Sequence, residues 1–379
     1  MKIILAGPAW PYRGGIAEFS NRLMQQFSAE GHQAEIVTFR LQYPSILFPG
    51  KSQLTGASSP GNIQTIRLIN SINPLNWLKT GNYIRKLKPD ILILRFWLPF
   101  MGPCLGTIAR LVRRNKQTKI VCVFDNVIPH EKRPGDKLFT KYFTGSIDCA
   151  IVMAESVGKD LEKFRKDLPV RLLYHPLYDN YGNAVPRDEA LSKLKLDVQF
   201  RYILFFGFVR KYKGLDLLLH AFSDDRFRNS GIRLIVAGEF YEDEKYYTGI
   251  IDGKKIHDEV IFFNRFIPDD EVKLFFSAAD IVAQPYRSAT QSGVSQIAFN
   301  FDRPVLVTDV GGLREIVPDR KCGYVVNPDP QEIAGSLIDF FSNDRVKSFS
   351  ECVREQKKKF GWEKFTEAIL ECCTLVKPR

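Results

Sequence analysis

The stretch Asp280-Ile281-Val282-Ala283-Gln284-Pro285-Tyr286 opens the part of the chain that decides the fold, which continues through Gln291-Ser292-Gly293-Val294 and on to Asp329. Three short apolar strands alternate here with small-residue turns, and the turn at Ser292 and Gly293 opens directly into a predicted helix. The first N–H groups of a helix have no intrahelical partner, and the helix dipole favours an anion beside them. The stretch therefore predicts a site for a phosphate-bearing ligand at the end of a parallel sheet.

Length and composition indicate a globular protein of two domains. The chain of 379 residues exceeds one ordinary core, and 45% hydrophobic with 26% charged residues is typical of soluble proteins. The seven cysteines form no C-x-x-C pair, which favours buried free thiols in a reducing cytoplasm over a zinc site or a disulfide framework. The opening apolar run is too short for a secretory signal, and residues 96–109 fall short of the ~20 apolar residues of a membrane helix. We expect a cytoplasmic protein that does not cross a membrane.

The positive charge of the chain lies in its N-terminal half. Residues 1–182 hold 25 lysines and arginines against 13 aspartates and glutamates, whereas the remainder holds 29 against 30. Such an excess favours an anionic partner, which is a phosphate-bearing acceptor, an anionic lipid surface or nucleic acid, although it also serves solubility. Because no recognised nucleic-acid-binding motif occurs in the chain, we expect no nucleic acid as a partner.

Continuous runs of Val, Ile, Leu and Phe predict strands that are buried on both faces, as in a parallel sheet. The predicted strands are residues 3–6, 34–38, 91–94, 120–124 and 149–152 in the first half, and 202–206, 233–237, 260–263, 281–283, 305–308 and 324–326 in the second. Helical patterns separate them, a polar linker follows residue 174, and residues 360–375 form a last amphipathic helix. This alternation predicts two doubly wound α/β domains, whose ligands bind beyond the carboxyl ends of the strands.

Two further turns carry candidate binding residues. Gly14 and Gly15 lie in the first strand-to-helix turn, where paired glycines let the backbone approach a ligand, although a turn that needs positive φ explains them equally well. Gly207 ends another strand, and Arg210 and Lys213 follow it before the next helix begins. Cations at the carboxyl end of a buried strand can neutralise a diphosphate.

Taken together, these segments resemble family 4 of the glycosyltransferases, which has the GT-B fold of two Rossmann-like doubly wound domains facing a central cleft. The resemblance spans nearly the whole chain and is most specific at residues 308–315 and 323–325. It implies that residues 1–180 bind the acceptor, that the C-terminal helix within 360–379 packs back on that domain, and that residues 181–359 bind a nucleoside-diphosphate sugar. It further implies a hexosyltransferase that retains anomeric configuration and uses neither a metal nor another cofactor, and the chain contains no Asp-x-Asp.

The resemblance also implies roles for individual residues. Arg210 and Lys213 would neutralise the diphosphate. The residues that would contact the rest of the donor are Gly14, Gly15, Gly207, Glu239, Asn264, Arg265, Gln291, Ser292, Gly293, Val294 and Gln296, of which Ser292 would cap its helix in any fold. The chain departs from the family at Phe208, where the family has an arginine, and it has no acidic residue between Ile281 and Phe301, where the family usually carries two glutamates.

On the acceptor side, Asp125 stands where the family often has a histidine, and His130 follows five residues later. Either could accept a proton from an acceptor hydroxyl or hydrogen-bond to it. The segment Arg95–Phe100 suits a lipid-linked acceptor if its aromatic residues are exposed, and is simply core if they are buried. We expect a glycan or lipid-linked acceptor in cell-surface polysaccharide synthesis, with peripheral contact to the inner face of an anionic membrane. A sugar-nucleotide 2-epimerase and a non-catalytic sugar-nucleotide-binding or glycan-binding subunit are the alternatives.

Overall fold

The computed structural model describes residues 1–44, 53–54, 61, 63–129, 133–289 and 292–376. The chain forms two compact units, one from Met1–Tyr174 together with Trp362–Arg379, and the other from His175–Gly361. We call them the first unit and the second unit. Each is built around its own parallel sheet.

The first unit has a seven-stranded sheet in the order β3-β2-β1-β4-β5-β6-β7, in which every pairing is parallel. Its strands are β1 (Lys2–Ala6), β2 (Gln33–Leu41), β3 (Gln64–Asn70), β4 (Ile91–Phe96), β5 (Lys119–Phe124), β6 (Cys149–Val152) and β7 (Val170–Leu172). Its helices are α1 (Gly15–Ala29), α2 (Pro74–Leu87), α3 (Gly102–Arg113), α4 (Asp136–Thr144), α5 (Glu155–Glu162) and α13 (Trp362–Thr374).

Alternation along the central strands explains why helices cover both faces of this sheet. In β4, Ile91 and Ile93 pack with α1 and α13, whereas Leu92 and Leu94 pack with α2, α3 and α4 on the other face. A strand that is buried on both faces has no solvent side, so its sequence is apolar throughout.

The second unit has a six-stranded parallel sheet in the order β10-β9-β8-β11-β12-β13. Its strands are β8 (Arg201–Phe206), β9 (Ile232–Ala237), β10 (Val260–Phe263), β11 (Ile281–Gln284), β12 (Val305–Thr308) and β13 (Gly323–Val326). Its helices are α6 (Arg187–Leu194), α7 (Leu215–Phe222), α8 (Glu244–Lys254), α9 (Asp269–Ala278), α10 (Gly293–Asn300), α11 (Pro330–Ser342) and α12 (Val346–Lys357). The strand order reverses between β8 and β11, and ligands bind at such a point in open parallel sheets.

The predicted doubly wound α/β fold is confirmed, and all eleven predicted strands are present. The sequence patterns missed β3 and β7, which are the two edge strands of the first sheet. An edge strand is only partly buried, and β7 has one half-buried and two exposed residues, so neither strand carries a continuous apolar run.

The cysteine prediction is only partly right. Cys104, Cys122, Cys149, Cys372 and Cys373 are free and buried, as expected. Cys322 and Cys352 instead form a disulfide, with their Cα atoms 5.3 Å apart. The prediction of free thiols is therefore wrong for this pair, because folding brings together two residues that are 30 positions apart in sequence.

The described residues contain neither a helix suited to cross a membrane nor a cluster of metal ligands. None of the helices in those residues combines the length and apolarity needed to span a membrane. The same part of the chain contains no group of three or more His, Cys, Asp or Glu side chains that could hold a metal ion.

Candidate functional site

Three loops at the carboxyl edge of the second sheet pack backbone against backbone. A methyl group on Gly238, after β9, would lie 2.2 Å from the carbonyl oxygen of Gly207, after β8. A methyl group on Gly214 would lie 2.0 Å from the carbonyl oxygen of Pro285, after β11. Real Cβ atoms do not approach backbone so closely, and the three loops therefore depend on glycine at Gly214 and Gly238 to stay in contact.

Lys213 is the buried cation of this edge, with 9% of its surface exposed. A methyl group on Gly207 would lie 3.0 Å from its Nζ atom and 4.0 Å from the side chain of Val294, so Gly207, Lys213 and the start of α10 are neighbours. No carboxylate among the described residues pairs with Lys213. Burial lowers the pKa of Lys213 to about 8, and the nearby charge of Arg210 adds to this shift.

Arg210 is exposed and lies beside an aromatic pair. Its guanidinium carbon is 5.0 Å from the ring centre of Tyr241, a cation–π arrangement, and that ring lies 4.7 Å from the ring of Phe208. The aromatic contact orients Arg210 at the same loop as Lys213. Phe208 thus stands where the resembled family has an arginine, while Arg210 supplies a cation two residues further on.

The loop that leads into α10 is fixed by contacts that the sequence patterns did not indicate. Arg287 donates two hydrogen bonds to the carboxylate of Asp216, at 2.7 and 2.8 Å, and its N–H donates to the carbonyl oxygen of Tyr212 at 2.7 Å. The hydroxyl of Thr308 donates to the carbonyl oxygen of Tyr286 at 2.5 Å. The carboxylate and the guanidinium are 71 positions apart, and no local pattern marks such a pair.

The start of α10 is capped as predicted for Ser292, whose Oγ atom accepts a hydrogen bond from the N–H of Val294 at 3.2 Å. That N–H group therefore already has a hydrogen-bond partner, whereas the sequence pattern predicted that the N–H groups at this helix start are free to bind an anion. Gly293 is covered by Tyr178, because a methyl group there would lie 2.7 Å from the tyrosine ring. Gln296, further along α10, is completely buried, and its amide atoms have no hydrogen-bond partner in the part of the chain that the structure describes.

The predicted nucleoside contacts lie after β9 and β10. Glu239 accepts a backbone hydrogen bond from Val209 at 2.9 Å, and the side chain of Asn264 donates to Glu244 at 2.5 Å. Arg265 forms an ion pair with Glu271. The side chains of Asn264 and Arg265 thus have protein partners in this structure, and the roles of these three residues toward a ligand stay predictions.

Two predicted site residues, Gln291 and His130, lie outside the described residues. In the first unit, Gly14 has a φ of 104°, which favours glycine, and a methyl group on it would meet open space. Gly15 is the first residue of α1. The roles of all four residues stay predictions.

Asp125, directly after β5, is held by Arg95. Nη2 of Arg95 donates to Oδ1 of Asp125 at 2.5 Å, and the guanidinium carbon of Arg95 lies 4.0 Å from the ring centre of Phe19. Arg95 is 1% exposed, and its Nε and Nη1 atoms, like Oδ2 of Asp125, have no partner among the described residues. Burial raises the pKa of the Asp125 carboxyl, and the charge and hydrogen bond of Arg95 oppose that shift.

The segment Arg95–Phe100 is core rather than an exposed aromatic surface. Phe96 is fully buried between Phe124 and Phe143. Trp97 is half-buried, and its indole N–H donates to the hydroxyl of Tyr43 at 2.6 Å. Of the two possibilities for this segment, an exposed aromatic surface or a buried core, the structure thus supports the core for Phe96 and Trp97.

Comparison with known proteins places this geometry in a family. Residues 186–360, nearly the whole second unit, match the model of the glycosyl transferases group 1. An uncharacterized glycosyltransferase of Methanocaldococcus jannaschii is 30% identical over 97% of this chain and 95% of its own length. A second uncharacterized glycosyltransferase of that organism is 26% identical over 60% of this chain and 60% of its own length. The Bacillus subtilis spore coat protein SA is 25% identical over 52% of this chain and 54% of its own length. The chain thus spans little more than half the length of these two relatives.

Solved structures share the fold over their full length. The Anabaena protein HepE in complex with UDP has a TM-score of 0.75 at 14% identity, and the match covers 99% of this chain and 100% of HepE. Sucrose-phosphate synthase from Thermosynechococcus elongatus has a TM-score of 0.73 at 17% identity, covering 98% of both chains. The near full-length relative, the match of the second unit and the two Rossmann-like sheets agree, and the chain belongs to the glycosyl transferases of group 1, with the GT-B fold.

Proposed function

We propose that this glycosyltransferase moves a hexose from a nucleoside-diphosphate sugar to a glycan or lipid-linked acceptor, with retention of configuration and without a metal ion. The observation that carries the proposal is Lys213, a buried cation with no carboxylate partner among the described residues. A buried charge is unfavourable unless it is paired. A diphosphate at the carboxyl edge of the second sheet supplies the missing partner.

The charge of the leaving diphosphate would be met by protein groups alone. Lys213 and Arg210 provide two positive charges on one loop, and Gly207 lets that loop approach the ligand without a side chain in the way. HepE, which shares the fold, was solved with UDP and with UDP-glucose. These two compounds are therefore suitable probes for this chain.

The first unit would bind the acceptor. Asp125 at the carboxyl end of β5 would accept a hydrogen bond or a proton from the acceptor hydroxyl, with Arg95 holding its carboxylate in place. The positive balance of residues 1–182 suits a phosphate-bearing lipid carrier. We therefore propose that the enzyme works in cell-surface polysaccharide synthesis, in the cytoplasm and at the inner face of the membrane.

The test is the Lys213→Ala variant, with Lys211→Ala as its control. Lys211 is the exposed lysine of the same turn, so its removal changes the net charge equally but leaves the buried site intact. We expect isothermal titration with UDP to give about 100-fold weaker binding for Lys213→Ala, since a charged hydrogen-bonding group is lost, and a change of less than about twofold for Lys211→Ala. Equal affinity of Lys213→Ala and the wild type for UDP would refute the role of Lys213.

Turnover separates the transferase from its alternatives. Incubation of the wild type with UDP-glucose alone yields an epimerised sugar nucleotide only if the protein is a 2-epimerase. Binding of UDP-glucose with neither hydrolysis nor transfer to extracted membrane glycolipids would identify a non-catalytic subunit. Transfer of labelled glucose that depends on the glycolipid fraction is the result that the proposal requires.

A further inference from the structure

A cluster of cations lies at the amino edge of the second sheet, opposite the edge that carries Lys213. Asp280 directly precedes β11 and Arg303 lies two residues before β12, so both lie where the parallel strands begin. Helices α6 and α12 bring further cations to the same place. We call the following residues the basic cluster: Arg187 on α6, Arg303 before β12, and Arg354 and Lys357 on α12.

Two carboxylates hold the basic cluster together. Nη2 of Arg187 lies 3.3 Å from Oδ2 of Asp280. Asp302 pairs with both cations of α12, since its Oδ2 lies 3.1 Å from Nε of Arg354 and its Oδ1 lies 2.5 Å from Nζ of Lys357. Among the described residues, the four cations of the cluster thus share these two carboxylates.

Arg303 lies inside the cluster. Its Nη2 donates to the carbonyl oxygen of Ser277 at 3.1 Å, whereas its Nε is buried and has no hydrogen-bond partner among the described residues. Burial lowers the pKa of Arg303, the two carboxylates oppose that shift, and the charges of Arg187 and Arg354 add to it. Nε of Arg187 is likewise buried and unpaired within the part of the chain that the structure describes. The cluster therefore contains hydrogen-bond donors that the described residues do not satisfy.

The backbone compensates only part of the positive charge. Lys357 donates to the carbonyl oxygen of Asn300 at 3.3 Å. Asn300 ends α10, and Ser277, the acceptor for Arg303, lies in the last turn of α9. The end of a helix carries roughly half a negative charge, so two helix ends and two carboxylates leave about one positive charge uncompensated. Partly buried cations in such a group are unfavourable without a further counter-charge.

We propose that the basic cluster binds a phosphate-type anion, either inorganic phosphate or a phosphate monoester. The oxygens of a phosphate point in several directions and can accept hydrogen bonds from cations on α6, α12 and the turn before β12 together. Chloride is a single acceptor and satisfies fewer of these donors. Because the cluster and Lys213 lie at opposite edges of the sheet, this site is separate from the proposed donor site and does not depend on it.

The test follows thermal unfolding of the full chain in increasing potassium phosphate, with potassium chloride of equal ionic strength as the reference. It is made in the Lys213→Ala background, which removes the proposed donor-site cation, and is repeated on the wild type with saturating UDP. A ligand that binds the folded state raises Tm in a saturable way. We expect this rise with phosphate and not with chloride. Tighter binding of glycerol 1-phosphate than of phosphate would identify a monoester as the ligand, and equal or weaker binding would identify free phosphate.

Arg354→Gln is the variant, and Arg226→Gln is its matched control. The two arginine side chains are 56% and 58% exposed, and each pairs with an aspartate that is 29% exposed. Both variants are therefore expected to fold. Arg354→Gln should raise the dissociation constant for phosphate about tenfold, since a charged hydrogen bond is lost. Arg226→Gln should change that constant by less than about twofold, because only a surface ion pair is removed.

Two results would overturn the proposal. One is equal phosphate affinity with and without Arg354→Gln. The other is a Tm that follows ionic strength alone, with no difference between phosphate and chloride. UDP titration of Arg354→Gln should match the wild type. Normal UDP binding by Lys213→Ala would refute the donor site alone, so failure of the donor site and failure of the basic cluster are distinguishable.

Discussion

The side-chain nitrogen of Lys213 lies so close to Gly207 that a methyl group on this glycine would come within 3.0 Å of it. The glycine also has a φ of 96°, which side chains disfavour. Gly207→Ala should therefore displace the ammonium and weaken UDP binding about tenfold, besides destabilising the fold by about 1–2 kcal/mol. Titration with UDP and urea unfolding measure the two effects.

Gly231→Ala is the matched control for that variant. Its φ is 71°, and a methyl group there meets nothing within 4 Å. It should show a similar loss of stability with unchanged UDP affinity. If both variants bind UDP equally well, the contact between Gly207 and Lys213 has no part in ligand binding.

The pKa of Lys213, which burial and then Arg210 lower to about 8, predicts a pH dependence of UDP binding. Below pH 8 the amine is already charged, whereas above it a proton must be taken up before the diphosphate is paired. The dissociation constant for UDP should therefore be about tenfold higher at pH 9 than at pH 7. Titration in buffers of different ionisation enthalpy should detect proton uptake at pH 9, and Lys213→Ala should lack both effects.

The same shift predicts that Lys213→Met stabilises the ligand-free protein. The pKa is about 8 in the folded chain and 10.5 ordinarily, so the unfolded state binds more protons between these values and wild-type stability rises with pH there. Below pH 8 the full cost of the buried charge is present. At pH 7 the variant should gain about 3 kcal/mol in urea unfolding, and the gain should vanish near pH 10.5. A gain that does not change with pH would show that packing, not charge, is responsible.

Tyr241 is expected to position Arg210 through the contact between its ring and the guanidinium, 5.0 Å apart. Tyr241→Ala should weaken UDP binding about threefold to tenfold, as expected for the loss of a cation–π contact. Tyr241→Phe keeps the ring and should match the wild type. In the Arg210→Ala background, Tyr241→Ala should weaken UDP binding no further, and an additive loss of affinity would contradict the positioning role.

Arg95 and Asp125 form a buried pair, so removal of one partner should cost more than removal of both. Asp125→Ala leaves the guanidinium without its carboxylate and should lower the free energy of unfolding by about 3 kcal/mol. The double variant Arg95→Met with Asp125→Ala should recover most of this loss, because no charge is left unpaired. A double variant less stable than Asp125→Ala would mean that the arginine contributes through packing on Phe19 instead.

Sequence patterns located the features that depend on neighbours in the chain. Strands buried on both faces are apolar runs, and Gly207, Lys213 and Ser292 lie at strand ends or a helix start, where position along the chain already fixes the surroundings. Features that depend on distant residues were missed. Nothing near Asp216 indicates Arg287, nothing near Cys322 indicates Cys352, and Arg95 reads as a surface residue until its partner Asp125 is known.

The chain path makes the second unit an insertion within the first, since Trp362–Arg379 returns to the first unit. A single proteolytic cut at either junction therefore leaves the second unit covalently attached to part of the first. The two ends of the insertion meet, because the N–H of Leu177 donates to the carbonyl oxygen of Phe360 at 3.1 Å. A fragment of residues 175–361 thus carries its own sheet, paired ends and the whole Lys213 loop, so the proposed binding of UDP can be tested on that fragment alone.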